Sequence, residues 1–201
     1  MNPIFRDTST ALHVAFLITA LPVSEPSALR RALIRVLEAL PVRTTQQSAT
    51  LARLIGSPSP SVNFSGLTTQ EIRGQCAMII NAMQSRLPHP ELCVLLARYA
   101  PSERLKGIGV DGLTLWLAPV SPTTNYAALS SLIWRRYVPK KYRDGYSLRA
   151  IAKATGSSKS TLGRVAQWLD VESQGLELRA IRRLEETFVA HGVCEAMPMQ
   201  S

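Results

Sequence analysis

The chain has little cysteine, few aromatic residues and little charge. Three cysteines stand among 201 residues, an odd number at unrelated spacings, so they do not make the disulfide framework of a small secreted domain. Such usage fits a reducing compartment, and the expected location is the cytoplasm. No Cys-x-x-Cys pair is present. Cys76, His89 and Cys93, with His191 and Cys194 further on, are spaced only loosely like zinc ligands, and Cys76 falls on an apolar stripe, so neither a metal nor a cofactor is expected. Long apolar runs are missing too. Ala11 to Val23 is interrupted by His13, Thr19 and Pro22 and falls short of the roughly 20 residues of a spanning helix; with Asp7 ahead of it, it reads as a buried first helix rather than a leader. Alternating apolar and polar residues, the mark of a half-buried strand, occur nowhere, so the expected fold class is all-α. Gly107-Ile108-Gly109 lacks the preceding strand and third glycine of a nucleotide fingerprint. Without a nucleophile and base, paired carboxylates, or a recombinase's arginine cluster, the chain is not read as an enzyme.

What is present is a 46% hydrophobic composition, enough for a real core. Leu29, Leu33, Val36, Leu37 and Leu40 recur at helical spacing between Pro26 and Pro41, and a weaker helix carries Leu51, Leu54 and Ile55. Residues 56–66 hold two prolines, two glycines and four serines, a composition that blocks helix and strand. It is read as a linker between an N-terminal helical unit, residues 1–55, and a helical body. The central region, 67–130, opens with Thr68-Thr69-Gln70-Glu71, a capping box, followed by the stripe Ile72, Cys76, Ile79, Ile80, Met83. Pro88 closes that helix, Pro90 starts the next, and Leu92, Leu95, Leu96 and Tyr99 line it as far as Pro101. Gly107, Gly109 and Gly112 predict an irregular passage between Ser102 and Trp116. Two helix ends echo each other: Arg98-Tyr99-Ala100-Pro101 and Arg136-Tyr137-Val138-Pro139.

Charge is concentrated. The chain carries a formal net charge of +9, yet residues 135–164 alone hold nine basic side chains and one acidic one. The nine are Arg135, Arg136, Lys140, Lys141, Arg143, Arg149, Lys153, Lys159 and Arg164, interleaved with Tyr137, Tyr142 and Tyr146. An ordinary soluble surface mixes both signs; a phosphate backbone would supply the missing negative charge.

Within this segment, residues 147–169 read as two helices joined by a tight turn. Ser147 caps the first, Ile151 and Ala152 face inward, and Gly156 supplies a left-handed turn residue. Ser157 or Ser158 caps the second, whose inward positions are Leu162, Val165 and Leu169. The pattern resembles the helix-turn-helix of bacterial and phage DNA-binding proteins, departing at Thr155 and Ser157, where apolar residues are more usual. With Arg135-Arg136-Tyr137 and Asp144-Gly145-Tyr146-Ser147 ahead of it, the region of about residues 130–190 resembles the trihelical unit of sigma factor region 4, which also occurs in Q-type phage antitermination proteins. Val138-Pro139-Lys140-Lys141-Tyr142 reads as an insertion against the sigma pattern and argues against direct sigma function.

This resemblance implies a C-terminal trihelical unit, residues 131–201, that lays its second motif helix in the major groove of double-stranded DNA. Lys159, Ser160, Thr161, Arg164 and Gln167 would meet base edges. Arg135, Arg136, Lys140, Lys141, Arg143, Arg149, Lys153 and Ser158 would meet phosphates. The Q-type likeness further implies a transcription regulator that loads onto bacterial RNA polymerase; the alternative is a structural DNA-binding adaptor of the phage packaging kind. A closing helix with the face Leu178, Ile181, Leu184, Phe188 needs cover from its own or another chain, which leaves a homo-oligomer open.

Overall fold

The structure, a computed structural model, describes residues 3–20, 61–64, 66–139 and 142–195. The expected helix from Pro26 to Leu40, the weaker one ending at Ile55, most of the linker, and Lys140 and Lys141 lie outside the described residues.

The fold is all-α. Among the described residues its α-helices are α1 (Thr8–Ala20), α2 (Thr69–Arg86), α3 (His89–Tyr99), α4 (Glu103–Leu117), α5 (Tyr126–Tyr137), α6 (Leu148–Thr155) and α7 (Lys159–Ala190). Local chemistry starts most of them. Asp7 accepts a hydrogen bond from the Thr10 backbone N–H at 2.8 Å, and α1 then buries Ala11, Leu12, Ala15 and Phe16 on one face. The Thr68 capping box forms at α2: its backbone N–H donates to the Glu71 carboxylate at 2.7 Å, and its hydroxyl accepts from the Glu71 N–H at 3.3 Å. In α3 the consecutive residues Cys93, Val94, Leu95, Leu96 and Ala97 are all buried, so this helix is surrounded by its neighbours, packing on α4, α7 and α1.

The irregular passage expected from three glycines is instead the regular helix α4. A Cβ on Gly109 would stand 2.5 Å from the Ala97 backbone nitrogen and 2.7 Å from the Cys93 carbonyl oxygen, and one on Gly112 would collide with the Cys93 sulfur. Helices α3 and α4 touch backbone to backbone here. Burial against α3 outweighs the glycines' poor helix propensity.

The reader helix and the closing helix foreseen from sequence are one element. α7 runs for 32 residues, about 48 Å at 1.5 Å per residue. Its buried stripe is Leu162, Val165, Leu169, Ser173, Leu176, Ala180, Leu184 and Phe188, a repeat of three and four residues from one end to the other. That phase corrects the expected face. Leu184 and Phe188 are buried, but Leu178 is turned outward and 49% exposed.

The core is continuous among the described residues. Phe5, Leu12 and Phe16 join Leu184 and Phe188 in the same apolar cluster. The Phe5 N–H donates to the Val193 carbonyl at 2.9 Å, and the Glu195 N–H donates to the Phe5 carbonyl at 3.1 Å. The two echoing helix ends meet at α7. Arg98 and Arg136 each lie over the ring of the following tyrosine, at 5.4 and 5.5 Å, and both pair with the buried Glu177. The Tyr137 hydroxyl donates to the same carboxylate at 2.7 Å, while Arg183 of α7 donates to the buried Glu91 of α3 at 2.9 Å.

Candidate nucleic-acid interface

Helices α5, α6 and α7 pack on one another in all three pairings. Ser147 caps α6 by accepting from the Ala150 N–H at 3.1 Å, and Ile151 is buried. Gly156 ends α6 in the left-handed conformation, φ +68°. There a side chain would be strained, so glycine is required. Of the two serines open as caps, Ser158 takes the role, accepting from the Thr161 N–H at 3.1 Å.

Ser157 does something else. The Asn125 amide nitrogen donates to the Thr155 carbonyl at 3.0 Å and reaches the Ser157 hydroxyl at 3.4 Å. The Asn125 side-chain oxygen meanwhile caps α5 by accepting from the Ala128 N–H at 3.0 Å. One asparagine therefore starts α5 and ties down the turn between α6 and α7. The polar residues at positions 155 and 157 sit where this stitch is made. Sequence reasoning missed Asn125: its place before an apolar run signals a cap, but nothing local signals a partner thirty residues away.

With Leu162, Val165 and Leu169 turned into the core, the opposite side of α7's first turns is open. Lys159, Ser160, Arg164 and Gln167 are exposed and Thr161 is half-buried. Ser160, Arg164 and Gln167 follow at four and three residues and so share one stripe. That stripe continues into Val171, 70% exposed, and Leu178, so its polar, donor-rich part is confined to the first turns.

The residues expected at phosphates divide into two groups. Arg149 and Lys153, four residues apart on α6, are exposed, as is Ser158. Three arginines instead tie the end of α5 to the α5–α6 connection and to α7. Arg135 donates to the Tyr146 carbonyl at 3.0 Å. Arg136 pairs with Asp170 and Glu177. Arg143 donates to the Val138 carbonyl at 3.0 Å and the Arg136 carbonyl at 3.3 Å. The last two are carbonyls that the end of α5 leaves without helical partners. Arg149, Lys153, Lys159 and Arg164 form no ion pair among the described residues.

Of the loosely spaced zinc candidates, the His89 ring nitrogens lie 3.6 and 3.8 Å from the Cys93 sulfur. Among the described residues no three His, Cys, Asp or Glu side chains gather as a metal site, and no helix is long and apolar enough to cross a membrane. No protein-family model matches the chain, and no curated protein matches its sequence.

Proposed function

We propose that the chain is a sequence-specific binder of double-stranded DNA that regulates transcription, reading base edges in the major groove with the first turns of α7. The observation that carries this reading is the exposed stripe of Ser160, Arg164 and Gln167 beside Lys159, opposite the side that buries Leu162, Val165 and Leu169. Arg164 and Lys159 suit guanine O6 and N7, and Gln167 suits adenine. Arg149 and Lys153, exposed on α6 and without carboxylate partners among the described residues, suit the phosphates that fix register. The resemblance of residues 130–190 to Q-type antitermination proteins extends the proposal to bacterial RNA polymerase as a second partner and to terminator read-through as the output.

Footprinting on phage or mobile-element DNA, followed by titration of variants, tests the duplex reading. Arg164→Ala should weaken binding to the selected site by about 1–3 kcal/mol and relax base preference there. Replacing Arg149 and Lys153 should weaken binding to all sequences and lower the salt slope by about one per lost contact. If Arg164→Ala weakens random and selected DNA equally, the base-reading role fails. A read-through assay with purified polymerase tests the second partner separately.

A further inference from the structure

Four of the chain's five tyrosines, Tyr99, Tyr137, Tyr142 and Tyr146, line a single cavity of about 540 Å³ together with Trp134 and His13. Its volume is that of a small-molecule site, roughly 300–1,000 Å³. The two Arg-Tyr-x-Pro helix ends form its walls, and the Trp134 and Tyr146 rings lie nearly parallel, 22° apart in plane with centroids at 6.2 Å. Arg98 and Lys106 line the same cavity. An adjoining cleft of about 350 Å³ shares Arg98, Tyr137, Val138 and Pro139 with it and adds Arg136 and Arg143. Among the described residues four cations, Arg98, Lys106, Arg136 and Arg143, line the two spaces against the carboxylates of Glu103 and Glu177, with Arg98 and Arg136 paired to Glu177.

Two groups at this cavity are left without a charged partner among the described residues. Lys106 is half-buried, donates to the Ala97 backbone carbonyl and makes no ion pair among the described residues; burial pushes its ammonium pKa down. The Tyr99 hydroxyl is buried with no hydrogen-bond partner among the described residues. Aromatic faces select a flat ring. The surplus of cations selects an anion and disfavours the quaternary ammonium that an aromatic cage otherwise takes. A flat ring joined to an anion is the chemistry of a nucleotide, and stacking rings beside a basic track are how unpaired strands are held.

We propose that this cleft holds an unpaired nucleotide of a single strand, its base against the tyrosine and tryptophan rings and its phosphate toward Arg98 and Lys106. The site is separate from the duplex-reading stripe of α7 and does not depend on it.

Fluorescence anisotropy of a short labelled oligothymidine strand with the full-length protein tests the assignment. Tyr142 is 60% exposed, so Tyr142→Ala leaves the fold intact, which its thermal melt checks. It should weaken strand binding by roughly fivefold to a hundredfold, the loss expected for one stacked base, whereas Tyr142→Phe should retain binding and Arg164→Ala should leave it unchanged. Thymidine monophosphate supplied at the same nucleotide concentration should fail to displace the strand; displacement would assign the site to free nucleotides and overturn the strand proposal. Absence of strand binding, or binding insensitive to Tyr142→Ala, would overturn it outright. Either failure leaves the Arg164 test of duplex reading standing.

Discussion

Replacing Gly109 by alanine asks whether α3 and α4 meet backbone to backbone. In an unconstrained helix interior the change gains about 0.8–1 kcal/mol, because glycine is the poorer helix former. At Gly109 the added methyl group would lie 2.5 Å from the Ala97 nitrogen, 2.7 Å from the Cys93 oxygen and 2.9 Å from the Leu96 Cβ. Two of these are main-chain atoms that no rotamer change can move, so the helices must part. Overpacking of this kind costs about 1–3 kcal/mol, and with the main chain blocking relaxation the upper figure applies, for a net loss of about 2 kcal/mol. In a chain of this size that lowers Tm by about 4–8 °C. Gly74 supplies the control. It lies within α2 with nothing within 4 Å of its Cβ position, so Gly74→Ala should raise stability by up to about 1 kcal/mol. Thermal melts and urea midpoints of the two variants should shift in opposite directions. A Gly109→Ala protein as stable as Gly74→Ala would refute the close approach of α3 and α4.

Asn125→Asp keeps an oxygen to cap α5 but loses the amide that holds Thr155 and Ser157; it should cost about 1–2 kcal/mol in urea unfolding, and a neutral result would remove the stitch. Glu177→Gln strips the charge shared by Arg98, Arg136 and Tyr137 and should destabilise by about 2 kcal/mol, checked by the same unfolding curves. Alkaline pH should weaken the fold: burial pushes the Cys194 thiol from near 9 up to about 12, and burial together with Glu177 raises the Tyr137 hydroxyl. Both groups ionise first in the unfolded chain, which then binds fewer protons than the native one, so stability is fully present below pH 9 and falls as pH rises from 9 toward 12. Denaturation midpoints taken across that window should decline, and Tyr137→Phe should flatten the part above pH 10.

Features set within four residues were legible in the sequence. The Thr68 capping box, the Pro88 stop, the Gly156 turn and the inward Ile151, Leu162, Val165 and Leu169 follow from cap chemistry and helical spacing. What depended on a distant partner was not. The α4 glycines look like helix breakers until Ala97 and Cys93 are set against them, and the continuity of α7 appears only when its buried stripe is followed beyond Leu169 into Leu176, Ala180 and Leu184. In the candidate interface, the exposed polar stripe at the start of α7 was readable from spacing. The commitment of Arg135, Arg136 and Arg143 to carbonyls and carboxylates of the chain itself was not, because a positive charge in a sequence carries no record of which acceptor it faces.

The unbroken run of α7 makes the molecule hard to dissect. A fragment cut at residue 131 would strip Leu176, Ala180, Leu184 and Phe188 of the neighbours they press against and lay a greasy edge bare to water. Nor is there a joint along α7 between Arg164 and the distant Phe188. A torque applied to the tip must turn the body with it, as a handle turns a key.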